Sequence, residues 1–232
     1  MAACYRLAAH FQMTDLIYTH ITAKVPGAEG QFLINPYGRR WEEITASSLV
    51  KIDTDGQKIE NTSASVNPAG FTIHSAIHTA RPDAHWVMHT HTKAGVAVSC
   101  LAEGLLPLNQ IALQFFERLA YHDFEGIALD HAERCRIVAD FGSHPALVLR
   151  NHGLLTVGRT AAEMFNNMFY LNRACEIQVA TLSMGRDVIP IPGSIAQRVA
   201  SQNDQMSLDG GLELEWAAHL RMLDSIDPTF RT

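Results

Sequence analysis

The chain has 232 residues, of which 47% are apolar and 18% charged, with a formal net charge of −6. That length and balance suit a globular domain with a sizeable core and exclude a disordered polar chain. There is no basic block and no apolar run near the roughly 20 residues of a bilayer span, so neither nucleic acid nor membrane is expected as a partner.

The N-terminal "MAACYRLAAHFQM" reads as a short amphipathic helix without a signal peptide's basic start, which predicts a cytoplasmic protein. "HITAKV" (20–25) and "QFLIN" (31–35) alternate like strands around the loop "PGAEG", and "NPYG" (35–38) is a turn. "TASS" (45–48) reads as a helix start or tight turn, and "LVKIDTDGQKIE" (49–60) as a hairpin around Asp55-Gly56. "AGFTIHSAIHTA" (69–80) has helical spacing and stops at Arg81-Pro82-Asp83. "HWVMHT" is then a strand, and "KAGVAVSCLAEG" a short helix with a glycine stop.

"HAERCRIVADFG" (131–142) is a helix ending at glycine, and "ALVLRNHGLLTVG" (146–158) is strand, turn, strand. The longest helix covers 161–185. A looser stretch around "IPIPG" leads, from about residue 194, into a helical tail with Leu212, Leu214, Trp216 and Leu220 at its apolar positions. The tail's apolar positions would suit contacts between subunits. Strands and helices alternate without a shift in composition, which predicts a single α/β domain over 1–232 in three layers.

Four scattered cysteines, Cys4, Cys100, Cys135 and Cys175, form no C-x-x-C pair and are expected to be reduced and mostly buried. Twelve histidines are many for this length and hint at metal or acid–base chemistry. Strand residues i and i+2 face the same way, so His89 and His91 project together from one strand end. Two such imidazoles can hold one divalent metal. His152, at the end of another apolar strand and beside a glycine that permits a sharp turn, is the best third ligand. Three neutral nitrogen donors with an open fourth position describe a catalytic site. H-x-H alone also fits a histidine satisfied within the core. His74 and His78 form a rival i, i+4 pair, but without the glutamate of H-E-x-x-H, and His78 reads as a helix-surface residue. No G-x-S-x-G elbow, phosphate loop or G-x-G-x-x-G fingerprint is present.

"NPAGFTIHSAIHTARPDAHWVMHTHT" and "LRNHGLLTVG" resemble the class II aldolase/adducin family. "IYTHITAKV", "FLINPYG", "EITASSLVKID", "GLLPLNQIAL" and "LAYHDFEGIAL" narrow the likeness to the adducin head-domain branch, over about residues 5 to 185. The resemblance implies an α/β/α fold around a mixed, mainly antiparallel sheet, often assembled as a homotetramer with sites between subunits. It implies a metal, zinc first and manganese or iron as alternatives, held by His89, His91 and His152. It also implies proton transfer by a neighbouring subunit's tyrosine, here matched to Tyr121. His20 reads either as a pocket residue that binds an anionic or aromatic small-molecule substrate or as a strand-edge histidine held by a backbone carbonyl.

Two departures bear on the chemistry. The position of the family's acid–base glutamate is Gly70, which cannot accept a proton. Pro68-Ala69 and Thr19-His20 stand where sugar-phosphate aldolases grip phosphate, so the expected substrate is not a sugar phosphate. These readings give a metal-dependent carbon–carbon lyase, aldolase- or decarboxylase-like. A non-haem iron oxygenase and a non-catalytic, adducin-head-like binding module are the alternatives.

Overall fold

The computed structural model describes residues 1–126 and 132–232, with the backbone alone at 68–70. In chain order the elements are α1 (Ala2–His10), β1 (His20–Lys24), β2 (Phe32–Ile34), β3 (Val50–Ile52), α2 (Pro68–Ala80), β4 (Trp86–Thr90) and α3 (Lys93–Ser99). They continue with β5 (Leu119–His122), α4 (Glu133–Phe141), β6 (Ala146–Leu149), β7 (Gly153–Gly158), α5 (Ala161–Ser183), α6 (Gly193–Leu208) and α7 (Gly211–Ile226). Short 3-10 turns fill several connections, one of them at the predicted "TASS".

The sheet order is β3-β2-β1-β4-β7-β6-β5, and every pairing is antiparallel except β5 with β6. This is the mixed, mainly antiparallel sheet expected from the sequence. Helices cover both faces, because the inner strands are apolar on both. On one face Met88, Ala146, Val148 and Leu154 pack with α1, α3, α5 and α7 through Leu7, Val98, Phe165, Leu171 and Leu223. On the other, Val87, Leu147, Leu149, Leu155 and Val157 meet Ile73 and Ile77 of α2 and Ile137 and Phe141 of α4. Neighbouring positions along a strand thus enter different cores, as the two-residue period requires.

Local chemistry sets the boundaries. Asn67 precedes α2, with proline in the first turn, where its missing N–H costs nothing. Thr160 and Thr92 accept from Glu163 N and Gly95 N and so cap α5 and α3. Gly142 ends α4 at φ 52°. The helix expected from residue 131 is seen from Glu133, since 127–131 lie outside the described residues, as does the end of the "LAYHDFEGIAL" motif.

Several expectations change. The hairpin over 49–60 keeps its turn, but its return arm is a single bridge, Ile52 to Lys58. Trp216 and Leu220 pack against the chain's own core, while Leu214 is 74% exposed. Cys4 and Cys175 are buried, but Cys100 and Cys135 are exposed. No helix among the described residues is long and apolar enough to cross a membrane.

Candidate metal centre

β4 delivers His89 on its α2/α4 face, and the chain leaves the strand through His91 before Thr92 caps α3. His152 lies in the β6–β7 turn, which is tied down by Arg150 N to His122 O and by Asn151 N to Ser99 O. One ligand nitrogen from each of His89, His91 and His152 lies within 4.8 Å of the others. The sequence-predicted triad is therefore assembled.

The proton on each of two rings is fixed by its outer partner. His89 Nδ1–H donates to Leu154 O at 2.9 Å, and His91 Nδ1–H donates to Asp15 Oδ2 at 3.0 Å. Carbonyl and carboxylate oxygens only accept, so in neutral rings both Nε2 atoms carry lone pairs. Those two atoms face each other at 2.9 Å. Burial, and then the neighbouring histidines, hold the His89 pKa well below its usual value, and the same causes bring His152 down to about 4. Neutral imidazoles with converging lone pairs repel one another unless a cation sits between them. The donor set fits a divalent metal that accepts nitrogen, and each orienting partner is of the kind that fixes ligand tautomers.

The backbone makes room for this convergence. A Cβ on Gly153 would lie 2.4 Å from Thr90 O and 3.1 and 3.3 Å from the His91 and His89 rings. Gly153 is thus needed for close approach, while the left-handed turn beside His152 is taken by Asn151, at φ 55°. This corrects the expectation that the glycine makes the turn. Gln12, Leu16 and Thr19, also at positive φ, surround Asp15 and lead into β1. Such conformations cost energy and persist where the surroundings demand them.

His20 is on β1 directly opposite His89, with its ring 5.8 Å from that of His89 and 4.0 Å from that of His74. β1 lies inside the sheet, so His20 is not a strand-edge residue. His74 and His78 are both buried, which corrects the surface reading of His78. Both bond the Thr22 hydroxyl at 2.7 Å, and His78 Nδ1–H donates to Ala84 O at 2.8 Å. One carbonyl therefore sets the whole row. Thr22 donates to His78 Nε2, His74 Nδ1–H donates to Thr22, and the His74 Nε2 lone pair is left without a partner in the interior. The shared helix face chelates a hydroxyl, not a metal. Burial holds His74 neutral and brings the His78 pKa down to about 3.

Tyr121 is not brought to the triad of its own chain. It sits on the opposite sheet face, its hydroxyl accepting from Leu105 N at 3.0 Å and its ring 4.6 Å beneath the Arg150 guanidinium. Asp15 and Thr22 were missed by sequence reasoning, and Gly153 was assigned the wrong property. For Asp15 no local signal exists, because its partner is 76 residues away.

The three histidines converge at the ends of central strands of the seven-stranded α/β sheet, and the chain has known relatives with this fold. Residues 1–179 match the model described as "Class II Aldolase and Adducin N-terminal domain", and the chain belongs to that family. It is 54% identical over 99% of its length to a Caulobacter vibrioides protein provisionally described as aldolase class 2, covering 90% of that protein. It is 43% identical to alpha-adducin of Rattus norvegicus over 97% of this chain, but covers only 32% of the adducin. The solved L-fuculose 1-phosphate aldolase from Glaciozyma antarctica superposes with a TM-score of 0.87 at 26% identity, covering 100% of this chain and 90% of that one.

Proposed function

We propose that the chain is a metal-dependent carbon–carbon lyase, aldolase- or decarboxylase-like, acting on a small carbonyl or carboxylate compound other than a sugar phosphate. The observation that carries this reading is the pair of lone pairs on His89 and His91, turned toward each other at 2.9 Å with His152 beside them. A bound divalent metal, zinc first and manganese or iron as alternatives, would polarise a carbonyl and stabilise the enolate charge that develops as a neighbouring carbon–carbon bond breaks. The chain's own residues would do the rest. Leu154 O and Asp15 hold the ligand tautomers, and buried His20 forms a polar wall beside His89 for the substrate. In a homotetramer of cytoplasmic chains, Tyr121 would serve a neighbouring subunit's site. Gly70 leaves no carboxylate at the family's acid–base position, which favours decarboxylation, since loss of CO₂ needs no base to begin.

The deciding experiment is elemental mass spectrometry of protein purified without added metal, beside His89→Ala/His91→Ala. Near-stoichiometric metal in the parent, lost in the variant, is expected. Iron with oxygen uptake would redirect the reading to an oxygenase, which the three-histidine donor set also accommodates. No metal after reconstitution would favour a binding module, the reading motivated by the 43% identity to alpha-adducin.

A further inference from the structure

Both ring nitrogens of His122 face carboxylates. Nδ1 lies 2.7 Å from Asp140 Oδ2, and Nε2 lies 3.5 Å from Glu133 Oε1. The His122 and Glu133 residues are 4% and 6% exposed, so neither end of that second contact is washed by bulk water. Nδ1–H donates to Asp140. A neutral ring would then turn a lone pair toward an ionised carboxylate, placing two acceptors face to face in the interior. A proton on Nε2, or one water donating to both groups, satisfies the pair and leaves Glu133 an ionised acceptor.

His122 Nε2 makes no hydrogen bond within the protein. It lines a crevice of about 10 Å³ together with Ile73, Glu133, Arg150 and the metal-centre residue His152. That is room for about one water, with the several polar partners a buried water needs. Ile73, which lines the crevice, stands three residues beyond Gly70 on α2.

We propose that Glu133, positioned by His122 and Asp140, transfers protons to and from a ligand held at the triad, across a single water in this crevice. The proposal rests on the lyase reading. In the cleavage direction, the hydroxyl proton of a β-hydroxy carbonyl substrate passes to the water as the water passes one to the Glu133 carboxylate. The O–H electron pair becomes the new C=O bond. The C–C bond breaks, and its pair remains on the second fragment as an enolate. The enolate carbon then takes a proton back through the same water, which restores Glu133, and no outside oxidant or reductant is needed. One-water transfer is within the reach of general acid–base catalysis.

The test uses the full chain loaded with zinc and has two readouts. Ring ¹⁵N NMR should find His122 Nε2 carrying a proton or accepting one from water, with its shift moved in Glu133→Gln. Hydrogen–deuterium exchange into hydroxyacetone, followed by ¹H NMR in D₂O, should fall at least about 100-fold in Glu133→Gln with zinc content unchanged. Glu133→Asp should recover part of the rate. An Nε2 shift unmoved in Glu133→Gln, exchange as fast in Glu133→Gln, or no exchange by a zinc-bound parent would each overturn the relay. Failure to bind zinc at all would instead sink the lyase reading, and the ring NMR would still report on the trio.

Discussion

Asp15 Oδ2 accepts from His91 Nδ1 at 3.0 Å, so a carboxylate from the loop before β1 decides which nitrogen His91 offers to a metal 76 residues further along the chain. Outer partners of this kind are commonly worth 10- to 100-fold in metal affinity. Asp15→Ala should weaken zinc binding by about that factor in competition with a chromophoric chelator, and leave the fold intact by circular dichroism. An unchanged affinity would show that the His91 tautomer is set by something else.

Gly153 should tolerate no side chain. The alanine methyl would meet Thr90 O at 2.4 Å and crowd the His89 and His91 rings. Gly153→Ala is expected to cost about 1–3 kcal/mol in urea unfolding and to lower metal occupancy. Asn151→Gly, which only relieves a left-handed backbone at φ 55°, should be neutral or slightly stabilising.

Thr22 joins His74 to His78 through one hydroxyl, at 2.7 Å on each side. Thr22→Val keeps the shape and removes the joint, leaving two buried ring nitrogens unsatisfied. A loss of about 1–3 kcal/mol is expected, with redistribution of the two ring tautomers visible by ¹⁵N NMR. Thr22→Ser should restore both readouts. Stability lost in the valine variant without any tautomer change would argue for packing alone.

Acid should destabilise the metal-free chain through its buried imidazoles. His78 has a folded pKa near 3 and His152 near 4, against an unfolded value of about 6.5. Above pH 6.5 both states are neutral at these groups. As pH falls below it, the unfolded chain binds protons that the folded chain refuses, so stability is lost progressively down toward the folded pKa values. The urea midpoint should therefore drop steadily from about pH 6.5 to pH 4. His78→Gln should flatten the slope, and an equal slope in that variant would contradict the assignment.

Much of this was readable in the residues. The period-two and helical patterns placed α1, α2, α5, β1, β4, β6 and β7, and H-x-H with N-H-G named all three convergent histidines. What escaped was non-local. β5 is four residues long and half apolar, and its parallel partner β6 is reached only across α4, so no nearby turn announces it. His78 shares its helix face with His74 as the spacing required. Its burial depends on Thr22, 56 residues away, and hydroxyl chelation cannot be read from spacing. Gly153 was noticed for the wrong property, because open space beside a ring leaves no mark in a sequence while turn-making glycine does.

The two faces of the sheet are chemically unlike. The α5 side is sealed by aliphatic, aromatic and sulfur-bearing groups such as Leu7, Phe165, Met168 and Cys175, whereas the α2/α4 side holds His20, Thr22, His74, His78, His89 and His122 around its aliphatic patch. Most of the buried imidazoles thus lie in the second layer, while the first has half-buried His219 packed on Phe165. Mild acid should therefore loosen the molecule asymmetrically. The α2 and α4 amides should surrender deuterium protection first, while the long α5 helix stays docked on its half of the sheet as a residual scaffold.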